Sequence, residues 1–152
     1  MIHGIDTGFL VAAEVAEHGE HLAARQMLLQ LVTAGNRIGM APQVIAEFIH
    51  VVTDPRRFTH PLSVQQARQI AEQWWTASEV DHVFPDTAAT NQFFTWLEQL
   101  ALGRKRLLDT LLAATYQQAG IRSLLTTNVA EFAVFNVIDC IAPAMRGQRF
   151  GE

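Results

Sequence analysis

Cysteine is nearly absent from this chain: Cys140 is the only one in 152 residues. That excludes an intramolecular disulfide and a thiolate-built metal centre, and it suits a reducing compartment. Cations are also scarce. Eleven Lys and Arg against fifteen Asp and Glu leave a formal charge of -4, which argues against a broad basic surface for nucleic acid, because such binding rests on neutralising phosphates. It does not exclude chemistry on phosphates, since clustered acids that load divalent cations present positive charge at one point. No apolar run approaches the length of a membrane span. The start of the chain, Met1-Ile2-His3-Gly4-Ile5-Asp6, has no basic segment and meets an acid at once, so no signal peptide is expected. A cytoplasmic protein without membrane attachment is the expectation.

What is present is core-forming material. With 49% hydrophobic and 17% charged residues, the chain has the size and composition of one domain, expected over residues 1–145 and followed by a short polar tail, 146–152. There are no repeats and no low-complexity segments. Short apolar runs at Ile2–Asp6, Arg37–Met40, Val80–Phe84, Ser123–Thr126 and Asn136–Asp139 read as strands. Longer runs of helical period lie between them, from Phe9, from Leu22 to Val32, from Pro42 to Val52, from Ser63 to Thr76, from Asp86 to Leu100 and from Leu107. Strands alternating with helices predict an α/β fold: three layers, α/β/α, around a mostly parallel sheet of about four to five short strands.

Local signals sharpen the boundaries. Ser63 with Gln66 forms a capping-box pattern, Asn128 with Glu131 forms another, and Gly35-Asn36 and Gly120 are stop signals. On the fourth helix Val64, Ala67, Ile70, Ala71 and Trp74 form the core stripe, which leaves Trp75 off-face; Phe94 sits beside the stripe of the next helix. Both aromatics are places to look for partner contacts. His18 and His21 are three apart, but the remaining donors of a zinc set are missing nearby.

The acids carry the chemical signal. Asp6 ends the first strand, where open α/β sheets place their ligands, although Asp6 or Thr7 also suits a helix cap. Glu47 shares its side of a helix with apolar residues, so its carboxylate needs a partner, an ion or an outlet to water. Asp109 lies near the start of an apolar helix, directly after Arg104-Lys105-Arg106, and those cations offer it local ion pairs. Asn128 and Glu131 follow a further strand.

Taken together, Ile5-Asp6-Thr7 with Leu10, Pro42-Gln43-Val44-Ile45-Ala46-Glu47-Phe48, Leu108-Asp109-Thr110-Leu111-Leu112-Ala113-Ala114 and Leu125-Thr126-Thr127-Asn128-Val129-Ala130-Glu131-Phe132 resemble the PIN domain family of metal-dependent nucleases. The resemblance is strongest to the VapC-type toxin ribonucleases of toxin–antitoxin modules, and it covers nearly the whole chain. It implies an endoribonuclease that uses Mg²⁺ or Mn²⁺, with Asp6, Glu47 and Asp109 as catalytic metal-binding acids. Asn128 stands where the family has a fourth acid, with Glu131 one helical turn further on. The same resemblance implies that Thr7 and Thr127 orient ligands or phosphate, that Arg104, Lys105 and Arg106 hold the RNA, and that the partners are a cognate antitoxin and a second copy of the chain. The alternatives are a PIN nuclease of RNA processing and a PIN-like module that binds RNA or protein without cutting, which the uncharged Asn128 keeps open.

Overall fold

A computed structural model describes residues 1–143; the expected tail with Arg146 and Arg149, and the domain end at 145, lie outside the described residues. Five short strands form one sheet: β1 (Ile2–Ile5), β2 (Arg37–Met40), β3 (Val80–His82), β4 (Ser123–Leu125) and β5 (Asp139–Ile141). All pair in parallel, in the order β3-β2-β1-β4-β5. The first strand in sequence is therefore the central one, and its burial follows: His3, Gly4 and Ile5 are all buried.

Seven helices connect the strands: α1 (Thr7–Glu14), α2 (His21–Thr33), α3 (Pro42–Val52), α4 (Val64–Thr76), α5 (Thr87–Leu100), α6 (Leu107–Gln118) and α7 (Val129–Ala133). The chain steps from β1 to β2 to β3 in one direction, then returns across β1 to β4 and β5. Because parallel crossovers are right-handed, that reversal puts α1 to α4 on one face of the sheet and α5 to α7 on the other. The packing agrees: α1 lies on α2 and α3, α3 on α4, α5 on α6, and α6 on α7. The core is a layer of Phe9, Leu10, Met27, Phe48, Ile38, Met40, Tyr116, Leu124 and Phe132 on either side of the strands.

Two contacts bring the layers close at the central strand. A Cβ on Gly4 would sit 2.7 Å from the Tyr116 ring, so only glycine lets α6 approach β1 there. The Tyr116 hydroxyl then donates to the Ile5 carbonyl at 2.7 Å and accepts from the Ala41 N–H at 3.3 Å. One phenol thus ties α6 to the ends of both β1 and β2, in the row where the reversal point of the sheet opens.

Several boundaries differ from the sequence reading. The last strand is Asp139–Ile141, not Asn136–Asp139: Asn136 has a left-handed φ of 53°, which breaks an extended run and turns the chain back before pairing resumes. The third strand stops at His82, leaving Phe84 exposed beyond it. Val64 is 64% exposed, because burial in α4 begins one turn later, at Ala67. The Ser63–Gln66 capping box forms in full. The one expected at Asn128–Glu131 does not: the Asn128 side chain makes no capping bond.

Candidate active site

The site is built from the carboxyl ends of β1 and β4 outward. Asp6 directly follows β1, and its own N–H continues the ladder by donating to Leu125 O at 3.0 Å. Its side chain is buried, with 4% of its surface exposed. Oδ1 accepts from the Phe9 N–H at 2.7 Å, capping α1, and Oδ2 accepts from the Thr126 hydroxyl at 2.5 Å. These two bonds still leave acceptor capacity on both oxygens.

Burial pushes the Asp6 carboxyl up to about 7. The two hydrogen bonds favour the charged form, but desolvation outweighs them, and the charges of Asp109 and Glu47 push the same way. Asp109, in the first turn of α6, is pushed up to about 6, first by burial and then by Glu131, whose carboxyl hydrogen-bonds it and whose charge adds repulsion; Arg106 opposes and Glu47 reinforces the rise. Asp109 and Glu47 thus act on Asp6, and Glu131 and Glu47 on Asp109, across one sheet edge.

Glu47 reaches this edge from α3. Its Oε2 accepts from the Thr7 hydroxyl at 3.3 Å and its Oε1 from Gln43 Nε2 at 3.0 Å. Neither donor is charged. The spacing of Gln43 and Glu47, four apart, places both on one face of α3, while Val44, Phe48 and Val52 face the core.

The loop after β4 closes the other side. Thr126 accepts from the Asn128 N–H at 2.9 Å while donating to Asp6. Gly8 permits the close approach of this loop to α1: a Cβ there would lie 2.6 Å from Thr127 Oγ1, 3.5 Å from Asn128 Nδ2 and 3.7 Å from Asp6 Oδ1. Thr127 and the Asn128 amide are thus beside Asp6. Asn128 and Glu131 are exposed, and Glu131 is the one that meets Asp109.

The basic run divides. Arg104 and Lys105 are exposed on a 3-10 turn, Arg104–Arg106, that leads into α6. Arg106 is drawn inward. Its Nη2 donates to the Glu131 carbonyl, its Nε lies 3.9 Å from Asp109 Oδ2, and that buried Nε has no hydrogen-bond partner among the described residues. Arg106 is therefore a neighbour of two of the acids rather than a free surface cation. Neither histidine of the Gly19 turn is arranged as a ligand: His18 Nδ1 accepts from the Glu20 N–H, and His21 Nδ1 donates to Ala12 O.

Thr126 and Gln43 are the residues that sequence reasoning missed. The four-residue spacing to Glu47 was a usable signal for Gln43. Nothing local marked Thr126, whose role depends on β4 lying beside β1. Trp75 is half-buried, stacked on His82 with ring centroids 3.6 Å apart, and Phe94 is 61% exposed. A groove of about 300 Å³ lies between α3 and α4, lined by Pro42, Ile45, Ile49, Ala71 and Trp75; Ile45 and Ile49 point away from the Glu47 face of α3.

The donor set can be tested against a divalent cation. Carboxylate and hydroxyl oxygens are the hard donors that Mg²⁺ and Mn²⁺ take, and two carboxyls raised by burial and by neighbouring acids are relieved by a cation. Chemically the residues fit. Among the described residues, no group of three or more His, Cys, Asp or Glu is already spaced to hold an ion, so loading requires these side chains to draw together.

Such a fold, with acids from four distant segments at the reversal point of a parallel sheet, defines the PIN class of protein. The PIN domain model matches residues 5–134, and the chain belongs to that family. A VapC ribonuclease of Mycobacterium bovis is 38% identical over 68 residues, 45% of this chain and 46% of that protein; the match thus spans about half the length of each. Ribonuclease VapC24 of Mycobacterium tuberculosis is 24% identical over 136 residues, 86% of this chain and 89% of that one. Among solved structures, VapBC2 from Rickettsia felis bound to a DNA fragment from its promoter has the same fold, with a TM-score of 0.66 at 20% identity, over 93% of this chain and 98% of that chain.

Proposed function

We propose that the protein is a Mg²⁺- or Mn²⁺-dependent endoribonuclease and acts as the toxin of a type II toxin–antitoxin pair. The observation that carries this reading is the convergence of Asp6, Glu47, Asp109 and Glu131 on one sheet edge, with the Asp6 carboxyl raised by burial and by the charges of Asp109 and Glu47, and that of Asp109 by burial, Glu131 and Glu47. Such a cluster is unfavourable in the folded protein unless a cation enters it. The similarity to proteins named as VapC ribonucleases supports the same reading.

In this scheme Asp6, Glu47 and Asp109 hold the ion, and Glu131 joins them through its contact with Asp109. Asn128 contributes a neutral amide beside Asp6, in place of a further charge. When bound, the divalent ion supplies a Lewis acid for the phosphodiester oxygens and acidifies a water. Thr126 and Thr7 keep the Asp6 and Glu47 carboxylates oriented by hydrogen bonds. Arg104 and Lys105, exposed at the rim, attract the RNA backbone, and Arg106 adds positive charge next to Asp109. A cognate antitoxin and a second copy of the chain are the expected partners.

The test is cleavage of a panel of single-stranded and structured RNAs with Mn²⁺ or Mg²⁺, compared with EDTA and with Asp109→Asn. Cleavage that needs the ion and falls by about 100-fold or more in the variant, a loss of the size that removal of a transition-state interaction produces, supports the proposal. Equal cleavage by both proteins removes Asp109 from the site. Cleavage of no RNA at any metal concentration favours the non-cutting binding module. A small reading frame immediately upstream, whose product blocks cleavage and co-purifies with the chain, separates a toxin from an RNA-processing nuclease.

A further inference from the structure

Glu47 is held by an arrangement that none of the acids themselves explains. Its two carboxylate oxygens each receive one neutral donor, Gln43 Nε2 at 3.0 Å and the Thr7 hydroxyl at 3.3 Å. The same Gln43 nitrogen also donates to the Leu108 carbonyl, at 2.8 Å. A primary amide nitrogen has two hydrogens, so both are committed: one to the acid on its own helix, the other to the first turn of α6. The positions of these contacts along the chain matter as much as their lengths. Thr7 is the residue after Asp6, and Leu108 is the residue before Asp109. Glu47 is therefore pinned to the immediate neighbours of the other two acids.

We propose that Gln43 is a positioning residue for the cation site, an amide strut that holds α3 to the start of α6 and so sets the separation of Glu47 from Asp109. The inference rests on the metal-dependent reading above and adds to it a residue with no charge and no place among the ligands.

Three physical points carry it. First, α3 and α6 lie on opposite faces of the sheet, and between them the described hydrogen bonds are two: the Ala41 N–H at the start of α3 to the Tyr116 hydroxyl, and Gln43 to the Leu108 carbonyl, the one next to Asp109. Second, the strut is neutral. A lysine or arginine at this position would also bind Glu47, but its charge would compete with a divalent ion for the carboxylate, whereas an amide orients the oxygens and leaves their charge uncompensated. Third, the bond ends on a backbone carbonyl of the first turn of α6, which fixes the residue directly before Asp109 whatever rotamer the neighbouring side chains take. Glutamine also has the reach: its donor lies four bonds beyond Cα, and asparagine at the same place is one methylene short.

The experiment uses the full chain and Mn²⁺ alone, without RNA. Calorimetric titration of Mn²⁺ into wild type, Gln43→Met, Thr7→Val and Thr7→Ser is compared with the thermal midpoint of each metal-free protein. Methionine matches the length of glutamine and lacks the donors. The expected result is a Kd for Mn²⁺ raised about 10-fold or more in Gln43→Met, in the range found when residues behind metal ligands are replaced, with a smaller rise in Thr7→Val and near-wild-type binding in Thr7→Ser. A merely structural role predicts the reverse, a lowered thermal midpoint with unchanged Mn²⁺ affinity, and that result overturns the inference. Wild-type Mn²⁺ binding with no change in Gln43→Met overturns this inference alone. Failure of the wild type to bind Mn²⁺ overturns both it and the metal-dependent reading on which it rests.

Discussion

At the scale of single residues, the Asp6 and Glu47 carboxylates are met by neutral donors, whereas Asp109 has the charged Arg106 and Glu131 as its neighbours. Asp6 is the most buried, and Thr126 is its main support: the hydroxyl gives its hydrogen to Asp6 and takes the Asn128 N–H. Replacing it by the near-isosteric valine leaves both the carboxylate oxygen and that N–H without their bond. Thr126→Val should therefore cost about 1–3 kcal/mol, seen as a lower urea midpoint with an unchanged slope. It should also raise the Asp6 carboxyl further, because the bond it removes favours the charged form. Asp109 predicts the opposite sign. Its carboxyl is raised by burial and by Glu131, so at pH 8 without metal Asp109→Asn should raise the melting temperature by a few degrees, where about 1 kcal/mol corresponds to roughly 2–4 °C in a chain of this size. A fall instead would mean that the contact with Arg106, at 3.9 Å, is worth more than the repulsion. That difference in sign is what separates a stabilising ion pair from a strained cation site.

At the scale of elements, the chain shows which parts of a fold are written locally and which are not. Strands β1, β2 and β4 were legible because each is a short, mostly apolar run with a turn or polar residue at one end at least, Asp6 after β1, Gly35-Asn36 before β2 and Thr126 after β4, and α3 because Pro42 opens it and its apolar stripe is continuous. Strand β5 was not: Val137 and Ile138 look like strand residues, but the left-handed Asn136 delays pairing until Asp139. The exposure of Val64 was likewise beyond reach, since helical period predicts a face and not where the neighbouring helix stops. In the site, the acids could be found as polar residues in apolar company. Their supports could not, because Thr126 serves Asp6 from 120 residues away and Gln43 serves α6 through a backbone carbonyl. Tyr116 is the clearest such long-range tie. Its hydroxyl joins α6 to the ends of β1 and β2, at Ile5 O and Ala41 N, and Tyr116→Phe keeps the ring on Gly4 while stranding both groups. A loss of about 1–3 kcal/mol is expected, measured by urea denaturation, with the native fold retained by circular dichroism.

At the scale of the whole molecule, the buried acids and the one buried histidine oppose each other in pH, and the balance can be worked out in sign. Asp6 and Asp109 have folded values of about 7 and about 6 against an ordinary value of 3.8, so between these limits the folded state binds more protons than the unfolded one. Stability contributed in this way is complete below the unfolded value and is lost as pH rises through the folded ones. His3 works the other way. It is buried at the opposite end of β1, between Ser123 Oγ at 2.5 Å and Asn36 Oδ1 at 3.2 Å, and burial lowers it from 6.5. Its neutral form is stabilising above 6.5, and that contribution is lost as pH falls through the lowered value. The metal-free protein should then gain melting temperature on acidification from pH 8 to 6.5, where Asp6 alone acts. It should continue to gain below that, at least as steeply, because two acids outweigh the one His3. Scanning fluorimetry in EDTA at pH 8, 7, 6 and 5 measures this directly. In Asp6→Asn/Asp109→Asn only the histidine limb remains, so the trend below pH 6.5 should reverse and the midpoint should fall with acid. Mn²⁺ competes with protons for the same carboxylates, so its stabilisation of the wild type should be largest at pH 8 and fade towards pH 5. A shift with Mn²⁺ that is equal at all four pH values would place the ion somewhere other than on these acids.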